Sequence, residues 1–205
     1  LDYDGYYPSD QLYKTITYDE NNENSAVRGS VVEYKDKLGR VVLKRHYSSV
    51  SGRTSTPDPN PSIELDTYYV YDDFGNLAIV LSPKASELIV DGSSLASNHQ
   101  ALLDELGYQY SYDQRNRLVR KKLPGKDVEY IAYDPLDRPI ATGPVLSPFG
   151  DGSEGWLRTK YDPFGRVAYT SWVTGTITEP NRQAIEDTQG TDYSETRTSN
   201  YTTIN

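Results

Sequence analysis

Cysteine is absent from the 205 residues, and so is methionine. The first absence excludes disulfides, thiolate zinc sites and a cysteine nucleophile. The second, with a start at Leu1, reads as a stretch of a longer polypeptide with any export signal lying upstream. Histidine is scarce, and His46 and His99 lie far apart without companion acidic spacing, which leaves a zinc site without support. No apolar run approaches the roughly 18 residues of a membrane span, and no basic start leads into an apolar stretch. Neither membrane insertion nor a signal peptide is therefore expected. Positive charge is in deficit: Lys plus Arg 21 against Asp plus Glu 30 gives a net charge of -9. That balance repels phosphate backbones and anionic lipid, so nucleic acid is not an expected partner. Also missing are GxSxG, Walker and dinucleotide glycine patterns, the usual handles for hydrolases and nucleotide enzymes. The expectation is a protein that is not an enzyme and holds no cofactor.

Tyrosine, by contrast, is abundant, at 19 against Phe 3 and Trp 2. Such a bias suits half-buried sheet faces where the ring packs while the hydroxyl stays wet. The tyrosines recur in a repeat: Asp36 to Arg40 (DKLGR), Tyr71 to Asn76 (YDDFGN), Tyr112 to Arg117 (YDQRNR), Tyr133 to Arg138 (YDPLDR) and Tyr161 to Arg166 (YDPFGR). The aspartate is constant (Asp36, Asp72, Asp113, Asp134, Asp162), and three residues on stands Gly39, Gly75, Asn116, Asp137 or Gly165. Gly, Asn and Asp best tolerate a left-handed backbone, so this position predicts the residue that closes a hairpin loop in a G1-type bulge. The aspartate opens the turn by bonding amides ahead of it, and Pro135 and Pro163 stand where a type I turn favours proline. Each box predicts a hairpin tip.

The flanks alternate as strands do. Tyr108, Tyr110 and Tyr112 lead into one box, Leu77, Ile79 and Leu81 leave another, and similar runs cover Leu157 to Tyr161, Val167 to Ser171 and Glu129 to Tyr133. Leu12 to Tyr18 alternates too and ends in Tyr18-Asp19, a decayed copy. Between boxes, Ser82 caps a predicted helix with Pro83 at its first position, and Ser94 to Leu106 carries leucines at near-helical spacing before Gly107. Ser51 to Ser62 and Gly143 to Gly155 read as extended loops. The fold class expected is all-β, mainly antiparallel, with successive hairpins and one or two short helices near 83–106. Residues 1–30 form an N-terminal strand region with the degenerate repeat, 31–173 the repeat sheet, and 174–205 a polar segment holding an edge strand or truncated repeat.

These residues resemble the rearrangement-hot-spot (RHS) or YD-repeat family, in the version found in large surface proteins of Bacteroidetes-type bacteria. The resemblance runs from about Val31 to Val173. Its longest pieces are Glu33 to Arg45, Tyr68 to Leu81, Tyr108 to Pro139 and Trp156 to Tyr169. It implies a long β-sheet spiralling into a shell, which in bacterial toxin proteins encloses a C-terminal toxin and in animal relatives belongs to adhesion receptors. The departures are Lys35 in place of the motif tyrosine, Asn76 in place of arginine, and no recognisable C-terminal core with its self-cleavage site. Asp162-Pro163-Phe164-Gly165 resembles half of a cleavage element but lies inside an ordinary box, so no catalytic residue is carried over.

The motif arginines Arg40, Arg117, Arg138 and Arg166 could form a ligand-binding ladder, but pairing with the motif aspartate or stacking on tyrosine is the stronger reading. Carboxylate pairs such as Asp2 with Asp4, Asp72 with Asp73, and Asp151 with Glu154 would serve glycoside hydrolysis only at a separation that sequence does not fix. The run Phe149 to Gly155 (FGDGSEG) fits a calcium-loop rhythm only in part and reads as a solvated loop. Asn200-Tyr201-Thr202 is a chance glycosylation match. Two functions follow. The first is a scaffold in a secreted or cell-surface protein, whose partners are other repeats or a C-terminal cargo of the same polypeptide. The alternative is a surface module binding carbohydrate or protein through exposed tyrosines.

Overall fold

The computed structural model of the chain describes residues 7–18, 20, 29–49, 62–90 and 99–175. Expectations placed on Asp2, Asp4, Asp19, residues 51–61, 94–98 and the segment after residue 175 lie outside these. The alternating runs form eleven strands: β1 Tyr13–Tyr18, β2 Ser30–Lys35, β3 Val41–Ser49, β4 Ser62–Tyr71, β5 Leu77–Leu81, β6 Gly107–Tyr112, β7 Leu118–Lys122, β8 Val128–Tyr133, β9 Pro139–Leu146, β10 Glu154–Tyr161 and β11 Val167–Thr174. Hydrogen-bonded neighbours follow chain order, and the pairings are antiparallel. The fold is all-β, as expected, with two short helices, α1 Pro83–Val90 and α2 His99–Leu106.

The chain divides into two compact units. The first spans residues 1–109 and 123–126, and holds β1 to β5, both helices and the start of β6. Helix α1 begins where Ser82 and Pro83 predict: the Ala85 amide donates to Ser82 Oγ at 3.3 Å, satisfying one of the amides a helix start leaves open. Ala85 and Ser86 are buried where α1 lies against β4 and β5, and Leu102 of α2 is buried too. Gly107 ends α2 and opens β6 without an intervening residue. Between β3 and β4, Arg45 stands opposite Asp66 and donates to both its carboxylate oxygens at 2.7 Å, a bidentate cross-strand pair.

The second unit spans residues 110–122 and 127–205, and its described part holds the end of β6 and β7 to β11. Its core is Ala132, Ile140, Ala141 and Trp156, with Tyr130 and Tyr161 packed against them. Of the expected loop Gly143 to Gly155, residues 147–153 do connect β9 and β10, closed by the Ser147 amide donating to the Ser153 carbonyl at 2.8 Å, while 143–146 and 154–155 extend the strands. Pro144, within β9, has no amide for the ladder. The strand tolerates it where the β9–β10 register shifts between Gly155 and Leu157, an irregularity that absorbs the unpaired residue. Ser62, read as loop, likewise begins β4.

Because neighbouring strands follow chain order and alternate in direction, the boxes of each unit lie at one end of its strands. Boxes 36–40 and 72–76 share an end in the first unit, and boxes 113–117, 134–138 and 162–166 share one in the second.

Candidate functional site

Each box is a turn organised by its aspartate. In the first, the Asp36 amide donates to the Arg40 carbonyl and the Gly39 amide to the Asp36 carbonyl, both at 2.9 Å. Asp36 Oδ1 accepts the amides of Leu38 and Arg40 at 2.9 Å, and Oδ2 accepts Arg40 Nε at 2.7 Å. The same bonds recur around Asp113, Asp134 and Asp162, each closing on its own arginine at 2.7 Å. In box 72–76, Asn76 keeps the pattern through its amide nitrogen, 3.1 Å from Asp72 Oδ2. The turn requires a left-handed residue fourth from the aspartate's amino side, and φ there is +80° at Gly39, +86° at Gly75, +59° at Asn116, +63° at Asp137 and +78° at Gly165. Burial pushes the Asp36, Asp72, Asp113 and Asp162 carboxyls up, but the backbone amides and the residue-four-on side chain outweigh it and hold all four below their ordinary value.

The side chains that leave the turn reach the next hairpin. The Arg40 guanidinium lies 4.7 Å from the Tyr71 ring centre, Arg117 4.7 Å from Tyr133, and Arg138 4.5 Å from Tyr161. In each case the tyrosine hydroxyl donates to the carbonyl of the residue just after that arginine: Tyr71 to Val41 at 3.0 Å, Tyr133 to Leu118 at 2.9 Å, and Tyr161 to Pro139 at 2.8 Å. Register explains the constancy. Continuing the ladders from Leu43 opposite Tyr68, Arg120 opposite Tyr130 and Leu157 opposite Thr142 sets each tyrosine across from the arginine of the box before it. Burial is the leading cause that pushes the three tyrosines above their ordinary pKa. The arginine thus does both things the sequence offers as alternatives: it pairs with its own aspartate and stacks on tyrosine. That the tyrosine belongs to the following box was not legible in the repeat.

A second cross-box contact also escapes the sequence reading. Arg115 stands where other boxes carry Leu38, Phe74, Leu136 and Phe164, and Asp137 where three boxes carry glycine. These two departures meet, with Arg115 Nη2 2.8 Å and Arg117 Nη1 3.0 Å from the Asp137 carboxylate. Adjacent boxes that depart in opposite charge are the signal that could have revealed it. Leu38, Phe74, Leu136 and Phe164 are themselves exposed at the tips.

The remaining candidates fall into local roles. Lys35, in the motif-tyrosine position, pairs with Glu33 at 3.2 Å. Asp151 accepts the Ser153 hydroxyl at 2.7 Å and its amide at 3.0 Å inside the β9–β10 turn, and that bonding holds its carboxyl below the ordinary value. Among the described residues no group of three or more His, Asp or Glu is placed to hold a metal ion, and no helix is long and apolar enough to cross a membrane. On β1, Tyr13 and Tyr18 are exposed, but strand alternation puts them on opposite faces rather than on one platform.

Neither a protein-family model nor a curated protein matches the chain. Solved structures do. The crystal structure of TcdB2-TccC3-TEV superposes at a TM-score of 0.50 with 14% identity over 73% of this chain. The Photorhabdus luminescens Tc holotoxin pore with a mutated TccC3 gives 0.50 and 15% over 73%, and TcdB2-TccC3 without its hypervariable C-terminal region gives 0.50 and 16% over 71%. This chain spans 6% of the length of those proteins. At such identity the likeness is one of fold: the hairpin sheet described above is similar to a stretch of the TcdB2-TccC3 chains.

Proposed function

We propose that this chain is a non-enzymatic structural segment of a longer, secreted or cell-surface RHS/YD-repeat protein, in which successive hairpins build a wall that scaffolds or encloses another part of the same polypeptide. The carrying observation is the latch between successive boxes, in which an arginine held by its own aspartate stacks on the tyrosine of the following box and that tyrosine bonds the carbonyl after the arginine. The repeated aspartates are held within their own turns, and Arg40, Arg117 and Arg138 with Tyr71, Tyr133 and Tyr161 join one hairpin to the next, which is the behaviour of an element that propagates a sheet. The likeness to TcdB2-TccC3 supports the reading, one of those structures being of TcdB2-TccC3 without a hypervariable C-terminal region. A toxin-like C-terminal segment is accordingly the class of cargo proposed.

The test is limited proteolysis of the parent polypeptide expressed whole. The non-repeat portion is expected to resist cleavage until denaturant unfolds the repeats, and then to be cut at the protease concentration that cuts it in isolation. Equal cleavage in the folded and isolated forms would overturn enclosure.

A further inference from the structure

The last box among the described residues lacks what three of the others have. Arg40, Arg117 and Arg138 each cover a tyrosine of the following hairpin and expose 31%, 16% and 17% of their side chains. Arg166 exposes 74%, and its guanidinium lies 5.3 Å from the ring of Phe164 in its own turn. Its near half is nevertheless assembled: Nε donates to Asp162 Oδ2 at 2.7 Å, the bond that orients the other three. Val167 follows Arg166 as Val41, Leu118 and Pro139 follow theirs, so its carbonyl stands where those accept a tyrosine hydroxyl.

The strand behind this half-latch is not built as a terminal edge. Exposed edges are ordinarily protected by lysine, proline or an inward charge, because their free amides and carbonyls template pairing with another strand. Strand β11 reads VAYTSWVT, with no charge and no proline, and Val167, Tyr169 and Val173 are 58%, 49% and 39% exposed. Among the described residues only β10 pairs with it.

We propose that the side of β11 away from β10 is a docking site for a further Tyr-Asp strand. That strand pairs antiparallel with β11 and ends in a tyrosine whose ring covers the Arg166 guanidinium and whose hydroxyl donates to the Val167 carbonyl. The inference deepens the scaffold reading and rests on it. Its occupant is defined by the three latches already made within this chain: the same arginine, the same carbonyl and the same register each take a tyrosine from the following strand.

The probe is a labelled peptide of residues 128–141, carrying Tyr133 and its box, titrated to millimolar concentration against the full 205-residue chain. Anisotropy reports binding, and hydrogen exchange reports the amides of β11. Saturable binding with new protection of β11 is expected. Tyr133→Ala in the peptide, or Arg166→Ala in the chain, should each weaken it by about tenfold, with Arg166→Lys between, since loss of a desolvated cation–π contact and its hydrogen bond is of that order. Arg166→Ala also removes the bond to Asp162, so the melt of each variant is recorded and binding is compared well below its midpoint. No saturable binding, or binding indifferent to both substitutions, would overturn the proposal. So would β11 amides already protected in the free chain, whether by a second copy, shown by concentration-dependent sedimentation, or by residues after Gly175, shown by truncation there. If the peptide fails while substitutions in the internal latches still destabilise the chain, the scaffold reading stands and the docking site falls.

Discussion

At the scale of the residue, the box works because an ionised carboxylate can accept several donors at once. Asp134 shows the limit: it is buried, yet accepts two amides and its arginine, a combination that compensates removal from water. The lowered carboxyls of Asp36, Asp72, Asp113 and Asp162 fix the sign of the acid response. Protons bind the unfolded chain more tightly than the folded one, so the stability these groups contribute is complete above the ordinary value of 3.8 and is lost as pH falls from there through the lowered folded values. Thermal melts should therefore hold steady from neutrality to about pH 5 and drop steeply below about pH 4, and a melting temperature unchanged down to about pH 2.5 would contradict it. Backbone strain gives a second test. Nothing lies within 4 Å of a Cβ added at Gly165, so Gly165→Val meets only the left-handed conformation itself, at a cost of about 1 to 2 kcal/mol in denaturant unfolding. An unaltered midpoint would remove the turn assignment.

At the scale of the element, the hairpin tips and the strands beside them were legible because each depends on contacts within a few residues. The aspartate bonds amides two and four residues on, and the left-handed position admits the three residue types the repeat shows there. The latch was not legible, because its partners lie 30, 15 and 22 residues apart and meet only through strand register. Insertions such as the α1–α2 segment change the interval without disturbing that register. The strand ends within 143–155 were misread for the converse reason: the glycines and serines there are local turn signals, and the irregularity that accommodates Pro144, three steps of β9 against two of β10, shows only in the register. Gly155, at that same irregularity, gives an element-scale prediction. A Cβ there would collide with the Val173 carbonyl and lie 2.8 Å from two atoms of the Trp172 ring. Gly155→Ala should thus separate β10 from β11 locally and lower stability by about 1 to 3 kcal/mol, the range for overpacking. Hydrogen exchange that speeds in β11 but not in β7 would locate the damage, and full tolerance of the alanine would refute the close packing.

At the scale of the whole molecule, the apolar interior formed by the described residues is small. Nine apolar side chains are buried among the described residues, so contacts between neighbouring hairpins carry a larger share of the stability than in a protein with one deep core. Among the described residues, the first unit contains one box-to-box arginine-on-tyrosine step, Arg40 to Tyr71, and the second contains two, Arg117 to Tyr133 and Arg138 to Tyr161. Box 72–76, the last in the first unit, carries Asn76 in place of arginine. The repeat is therefore a connector as well as a turn, and the scaffold reading depends on that second role. A double-mutant cycle on Arg117→Ala and Tyr133→Leu, followed by denaturant unfolding of the full chain, tests it most directly. The account predicts that the two substitutions together cost less than the sum of their separate effects, by a coupling of about 1 kcal/mol. Additivity within about 0.3 kcal/mol would contradict it.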